Sequence, residues 1–86
     1  MDLQDAYSAA LKQKSDLMTK IQEQMKGDVK DGKLKPDTLK AFNLAQTCFD
    51  AAVISQGKPE DSMHHYSRGC VNYGEFMARQ KIDRGK

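Results

Sequence analysis

The chain has 86 residues, which is enough for one small domain and too few to enclose a deep pocket. Its 14 Lys and Arg residues nearly balance 12 Asp and Glu, and the lack of a long single-sign run argues against non-specific binding to nucleic acid or to a membrane surface. With 38% hydrophobic and 30% charged residues, the composition indicates a folded chain, so we predict a single domain over residues 1–86.

The first predicted helix spans residues 2–26. Its apolar residues recur every three or four positions, as on the buried face of a helix, and Lys14 falls within that stripe. We expect the aliphatic part of Lys14 to cover apolar surface while its ammonium group stays in water. Asp2 is a candidate cap for the start of the helix, and Gly27 is a candidate cap for its end.

Residues 27–35 form the predicted linker between the first and second helices. Within it, Asp31 and Gly32 have the chemistry of a two-residue turn, which indicates a tight loop or a very short hairpin. The aspartates of this segment do not fit a calcium loop. If Gly32 took the sixth loop position, Val29 and Thr38 would stand where carboxylates are required.

The second predicted helix, residues 36–56, is the element around which the others must pack. Its apolar residues nearly encircle it, and a helix of this kind needs cover from more than one neighbour. We therefore predict an all-α fold, a small three-helix bundle with this helix at its centre. The main apolar stripe contains Leu39, Phe42, Ala45, Phe49, Ala52 and Val53, and the adjoining side adds Ala41, Leu44, Cys48 and Ala51.

The third predicted helix spans residues 59–82. Pro59 at its start, like Pro36 in the second helix, is followed by acidic residues that suit the positive end of a helix dipole. Gly69 and Gly74 lie inside this helix, so we expect either the close approach of another backbone or a bend or break. Residues 83–86 form the predicted polar tail.

Histidine and cysteine side chains are the candidates for metal or nucleophilic chemistry. His64 and His65 are adjacent, so they point about 100° apart on a helix, while Cys48 and Cys70 lie within apolar stripes. Neither a C-x-x-C nor an H-x-x-x-H spacing occurs, and buried thiols are poorly reactive. We therefore expect no metal, no cofactor and no enzymatic activity, with both cysteines packed as small hydrophobic groups in a reducing compartment.

A protein-interaction role is the favoured functional prediction. The chain carries five Met, three Tyr and three Phe residues, more than a thin three-helix core easily buries. Tyr and Met side chains left at a surface make adaptable contacts, so we predict an adaptor, an inhibitor or a self-associating homo-oligomer whose partner is another protein or a second copy. The predicted partner-binding residues, all on the third helix, are Tyr66, Gly69, Tyr73, Gly74, Phe76 and Met77.

The alternative prediction is a helix-turn-helix-like protein that binds nucleic acid. A short turn joins the second and third helices, and the polar face of the third helix offers contacts to phosphates and base edges. Glu75 in the middle of that face and Asp61 at its head weaken this alternative, because phosphate binding depends on clustered cations. Its candidate residues are His65, Arg68, Asn72 and Arg79.

The expected location is the cytoplasm. The first residues are acidic where a signal peptide is basic, and no apolar run reaches the roughly 18 residues that a membrane span requires. We therefore expect no membrane partner.

Overall fold

The computed structural model describes residues 3–85, and the side chains of residues 5–85. These residues form three α-helices joined by short links, which confirms the predicted all-α bundle. The helices are α1 (Leu3–Lys30), α2 (Pro36–Ile54) and α3 (Pro59–Arg84).

Helices α1 and α3 run parallel to each other, and α2 runs antiparallel to both. At one end of the bundle Tyr7 of α1 meets Ser62 in the first turn of α3. At the other end Asp28 of α1 forms an ion pair with Arg84 in the last turn of α3. The domain is consequently a rod, 44 Å long and 18 Å across.

Helices α2 and α3 form the most closely packed pair. Small buried residues on one face of α2, including Ala45 and Ala52, bring the two backbones together. Phe49 on that face lies directly against α3, because a Cβ atom added at Gly69 would stand only 2.7 Å from Cε1 of the Phe49 ring. The explanations expected for the glycines were another backbone close by or a bend or break. At Gly69 the group that lies close is the Phe49 ring instead of a backbone, and α3 continues without a break through Gly74.

Aromatic rings fill the rest of this interface. Phe42 and Phe76 are both buried, with ring centroids 5.2 Å apart in an edge-to-face arrangement. Phe49 and Tyr66 make a second contact with centroids 5.8 Å apart. Such pairs contribute about 0.5–1.5 kcal/mol each beyond the burial of their surface, so they make α2 and α3 the stable centre of the fold.

Helix α1 packs onto this pair through longer side chains. Its buried residues Leu11, Met18 and Met25 fill the space beneath it. Because these side chains hold its backbone away, α1 approaches neither neighbour as closely as α2 and α3 approach each other. Half-buried Lys14 adds a cation–π contact, with its Nζ atom 5.4 Å from the centroid of the Tyr73 ring.

Hydroxyl groups tie the three helices together at one end of the rod. The Ser62 hydroxyl, which is fully buried, donates to the carbonyl oxygen of Ala52 at 2.7 Å. It therefore accepts from the Tyr7 hydroxyl, whose oxygen lies 2.6 Å away. One hydrogen-bonded chain thus joins α1, α3 and α2, so burial of Ser62 leaves no polar atom unsatisfied.

Asp83 organises the opposite end of the rod. Its Oδ2 atom accepts hydrogen bonds from the Thr38 hydroxyl at 2.7 Å and from the backbone N–H of Lys35 at 3.0 Å. Lys35 is the N-terminal cap residue of α2, and its own side chain makes no capping bond. Asp83 therefore supplies from α3 the negative group that the start of α2 requires.

The end of α1 differs from the prediction. The helix continues through Gly27 to Lys30, so the loop comprises residues 31–35 instead of 27–35. Gly32, with φ +71°, ends the helix: its N–H donates to the carbonyl oxygen of Val29, and the next N–H donates to that of Asp28. This is the Schellman arrangement, so the C-cap assignment at Gly27 is wrong.

The physical reason is that the extra turn of α1 has partners. Asp28 reaches Arg84 only because the helix continues past Gly27, and the added backbone hydrogen bonds outweigh the roughly 1 kcal/mol cost of a helical glycine. Of the two forms expected at Asp31 and Gly32, the described residues show the tight loop, with a turn at these two positions, and not the short hairpin.

Two other helix ends also differ from the predicted boundaries. Helix α2 ends at Ile54, before the predicted residue 56, and α3 continues past residue 82 to Arg84. The predicted tail, residues 83–86, is helical through Arg84 because its first two side chains bind α2 and α1. Three features fall outside the described residues, namely the Asp2 cap, the side chain of Leu3 and the tail residue Lys86.

Alanine substitutions at the two glycines near the end of α1 should have opposite effects. Gly27→Ala should stabilise the fold by about 0.5–1 kcal/mol, because Gly27 is exposed inside a helix with no atom within 4 Å of an added Cβ. Gly32→Ala should destabilise it by about 1–2 kcal/mol, because φ +71° is strained for alanine. Urea denaturation measures both, and a destabilised Gly27→Ala would place the cap back at residue 27.

The glycines inside α3 form a second matched pair. Gly69→Ala should destabilise by about 1–3 kcal/mol, because the new methyl group must displace the buried Phe49 ring. Gly74→Ala should stabilise by about 0.5–1 kcal/mol, because Gly74 is exposed and nothing lies within 4 Å. Thermal unfolding followed by circular dichroism compares them. Equal changes in melting temperature would mean that Phe49 does not rest on α3.

Candidate functional site

The predicted partner-binding residues of α3 do not form one exposed surface. Gly69 and Phe76 serve the packing of the monomer itself, so they are not accessible to a partner of the folded chain. The other four residues stay a prediction. By exposure, Gly69 and Phe76 are buried, Tyr66 and Tyr73 are half-buried, and Gly74 and Met77 are exposed.

Tyr66 is held between neighbouring rings and a thiol. Its ring meets Tyr7 edge-on with centroids 5.6 Å apart, and it also contacts Phe49. Burial raises the pKa of Tyr66 above its ordinary value of 10.0, and the charge and hydrogen bond of Cys70 raise this pKa further, as does the charge of Tyr7. Tyr66 therefore keeps its proton at neutral pH, which suits a packing residue and does not suit a general base.

The residues of the nucleic-acid alternative lie along one side of α3, and two of them are engaged within the chain. Arg79 Nε donates to Glu75 Oε1 at 3.0 Å, and the Asn72 amide donates to Cys48 Sγ at 3.7 Å. His65 is half-buried and Arg68 is exposed. This arrangement offers a phosphate fewer available cations than the sequence indicated.

Metal chemistry has little support from the described side chains. Among them, no three His, Cys, Asp or Glu residues come together as a possible ligand set. The rings of His64 and His65 are 5.9 Å apart and tilted by 60°.

In the same part of the chain, every helix is too short or too polar to cross a membrane.

A concave apolar surface lies elsewhere, between the second half of α1 and the first half of α2. It consists of two adjoining cavities of about 450 Å³ and about 340 Å³ that share Val29, Leu39 and Asn43. We call it the α1–α2 groove. Its other apolar lining residues are Met25, Leu34, Pro36, Phe42 and Leu44.

The floor and walls of the α1–α2 groove differ in exposure. Met25, Leu34 and Phe42 are at most 5% exposed and belong to the floor. Val29 and Leu44 on the walls are 42% and 45% exposed, so the domain leaves their apolar surface in water. The groove forms because α1 is held away from α2 by long side chains, and no other described element covers the gap.

The rim of the α1–α2 groove is positively charged. Lys26 and Lys30 lie on the α1 side and Lys40 lies on the α2 side, and no Asp or Glu is among the described residues that line it. Of the carboxylates beside it on α1, Glu23 pairs with Lys26 and Asp28 pairs with Arg84. Apolar walls and basic edges therefore occur together at one site.

The sequence contained part of the signal for this site. Val29 follows Met25 by four residues and so continues the apolar stripe of α1, but the assignment of residues 27–35 to a linker concealed that spacing. Leu44 was expected to help cover the centre of the bundle. The structure leaves it exposed, as it does Val53, because two neighbours cover only part of the circumference of α2.

Comparisons of the chain with known protein families, with curated proteins and with solved structures give no match.

Proposed function

We propose that this protein is a small non-catalytic interaction module, an adaptor or inhibitor, that binds another protein through the α1–α2 groove. The observation that carries the proposal is the exposed apolar wall formed by Val29 and Leu44 above a floor of core residues. Concave apolar surfaces with a polar rim are typical of protein-binding sites.

The energetic argument starts from the cost of leaving these side chains in water. Full burial of a Val or Leu side chain contributes about 1.5–3 kcal/mol, and the fold leaves nearly half of each exposed at the groove. A partner that covers both walls gains the exposed part of this contribution, less than half for each side chain, without rearranging the floor, which is already packed. A preformed site of this kind loses little conformational entropy on binding.

The proposed setting is the cytoplasm. Cys48 and Cys70 are both free thiols with partial burial, and each contacts a polar side chain of α3. Use of cysteine as a small packing group supports a reducing compartment.

The proposal predicts that groove variants lose a partner that other surface variants keep. Val29→Gln with Leu44→Gln replaces the apolar walls by polar helix formers, and Val71→Gln with Ile82→Gln is the control because those residues are 72% and 60% exposed on α3. The control variant should keep the wild-type stability to within about 0.5 kcal/mol, and the groove variant, whose two side chains are more than half buried, should lose about 1–2 kcal/mol. Quantitative affinity capture from native lysate, with wild-type protein alongside, should show partners that only the groove variant loses.

Three outcomes would contradict the proposal. Partners kept equally by both variants would mean that the groove is not the interface. A nuclease-sensitive partner lost on Arg68→Ala would favour the nucleic-acid alternative. Turnover of a captured substrate by the purified protein would show an enzyme.

A further inference from the structure

The chemistry of the α1–α2 groove also identifies the kind of partner segment that fits it. The α2 residues that line it run from Pro36 to Thr47 and recur every three or four positions. Eleven residue steps at about 1.5 Å correspond to about 17 Å, or three helical turns. An open apolar surface of this length between two helices matches a partner helix that presents apolar side chains at positions i, i+4 and i+7.

The charges on the two edges of the groove select among such helices. Lys26 and Lys30, one turn apart on α1, face the trough from one side, and Lys40 faces it from the other. Lys26 forms an exposed ion pair with Glu23, whereas Lys30 and Lys40 form none within the described part of the chain. Acidic residues on both flanks of an apolar stripe would therefore meet Lys30 on one edge and Lys40 on the other.

Resting on the proposed interaction function, we infer that the α1–α2 groove binds an amphipathic helix of a partner protein whose polar flanks are acidic. The apolar stripe of that helix covers Val29 and Leu44, and its carboxylates lie beside Lys30 and Lys40. The charge pairs remain at the rim, so they set the choice of partner and the rate of association more than the total affinity.

Two other occupants fit the groove less well. A lipid bilayer is flat, and it reaches the walls of a trough better than the recessed floor at Phe42 and Leu34. A second copy of this chain could present its own exposed apolar residues, which on α3 include Val71 and Ile82. Arg68 and Arg79 each precede one of these by a single helical turn, which places like charges against the lysines of the groove.

The inference is tested by selecting helical peptides on the intact protein. A display library of helices of about 16 residues carries apolar residues at every third or fourth position and either Glu or Lys at the flanking positions. Wild-type protein should enrich Glu-flanked members. Lys30→Glu with Lys40→Glu should reverse this preference and weaken a selected acidic peptide by about tenfold or more.

The control variant is Lys12→Glu with Lys81→Glu, which makes the same change in net charge at exposed positions outside the groove. It should retain the wild-type preference for Glu-flanked helices. If it reversed the preference as strongly as the groove variant, net charge rather than the groove would select the peptide, and the inference would be wrong.

Failure of this inference is distinct from failure of the proposed function. If Val29→Gln with Leu44→Gln abolishes capture of a partner but the library shows no enrichment of acidic helices, the groove is an interface for a different kind of segment. Two further measurements would overturn the inference in favour of another occupant. The first is binding of the protein to phosphatidylserine vesicles, and the second is a dimer in light scattering. Either would overturn the inference if the Lys30→Glu with Lys40→Glu variant lost that binding or that dimer.

Discussion

The contact of the Phe49 ring with the backbone of Gly69 is the constraint on which the rest of the structure depends. No side chain fits between them, so α3 must pass α2 at the distance that one aromatic ring sets. That approach brings Phe42 against Phe76 and Tyr66 against Phe49, which buries most of the aromatic surface between two helices. The helix pair consequently has the densest packing in the molecule, and α1 is added to it rather than interleaved with it.

The α1–α2 groove forms because α1 packs less closely against its neighbours than α2 and α3 pack against each other. Met18 and Met25 space α1 away from α2, and the hydroxyl chain at Ser62 and the Asp28–Arg84 ion pair hold α1 at its two ends. Near the Asp28–Arg84 end the outer walls of the two helices stand apart, with Val29 on α1 and Leu44 on α2. A site held in place at this end suits recognition of a helix, because it exists before the partner arrives.

Local signals predicted the helices, and tertiary contacts decided what local signals left open. Pro36 and Pro59 act within one helical turn of themselves, so both helix starts were predictable. Gly27 has the local features of a cap, but the ion pair of Asp28 with a residue 56 positions later keeps the helix going. Gly69 and Gly74 look alike in the sequence, and only the position of Phe49 distinguishes them. The α1–α2 groove depends on tertiary contacts of both helices. From local signals alone, Val29 was therefore assigned to a linker and Leu44 to the core.

Native-state hydrogen exchange tests the central claim, unequal packing of the three helices, most directly. The amides of residues 41–52 in α2 and 66–76 in α3 should exchange only through global unfolding, and their opening free energies should equal that from denaturation. Amides of residues 11–25 in α1 should open at a lower free energy, because α1 is the least closely packed helix. Equal protection of all three helices would contradict the account, since α1 would then be as integral to the core as the α2–α3 pair.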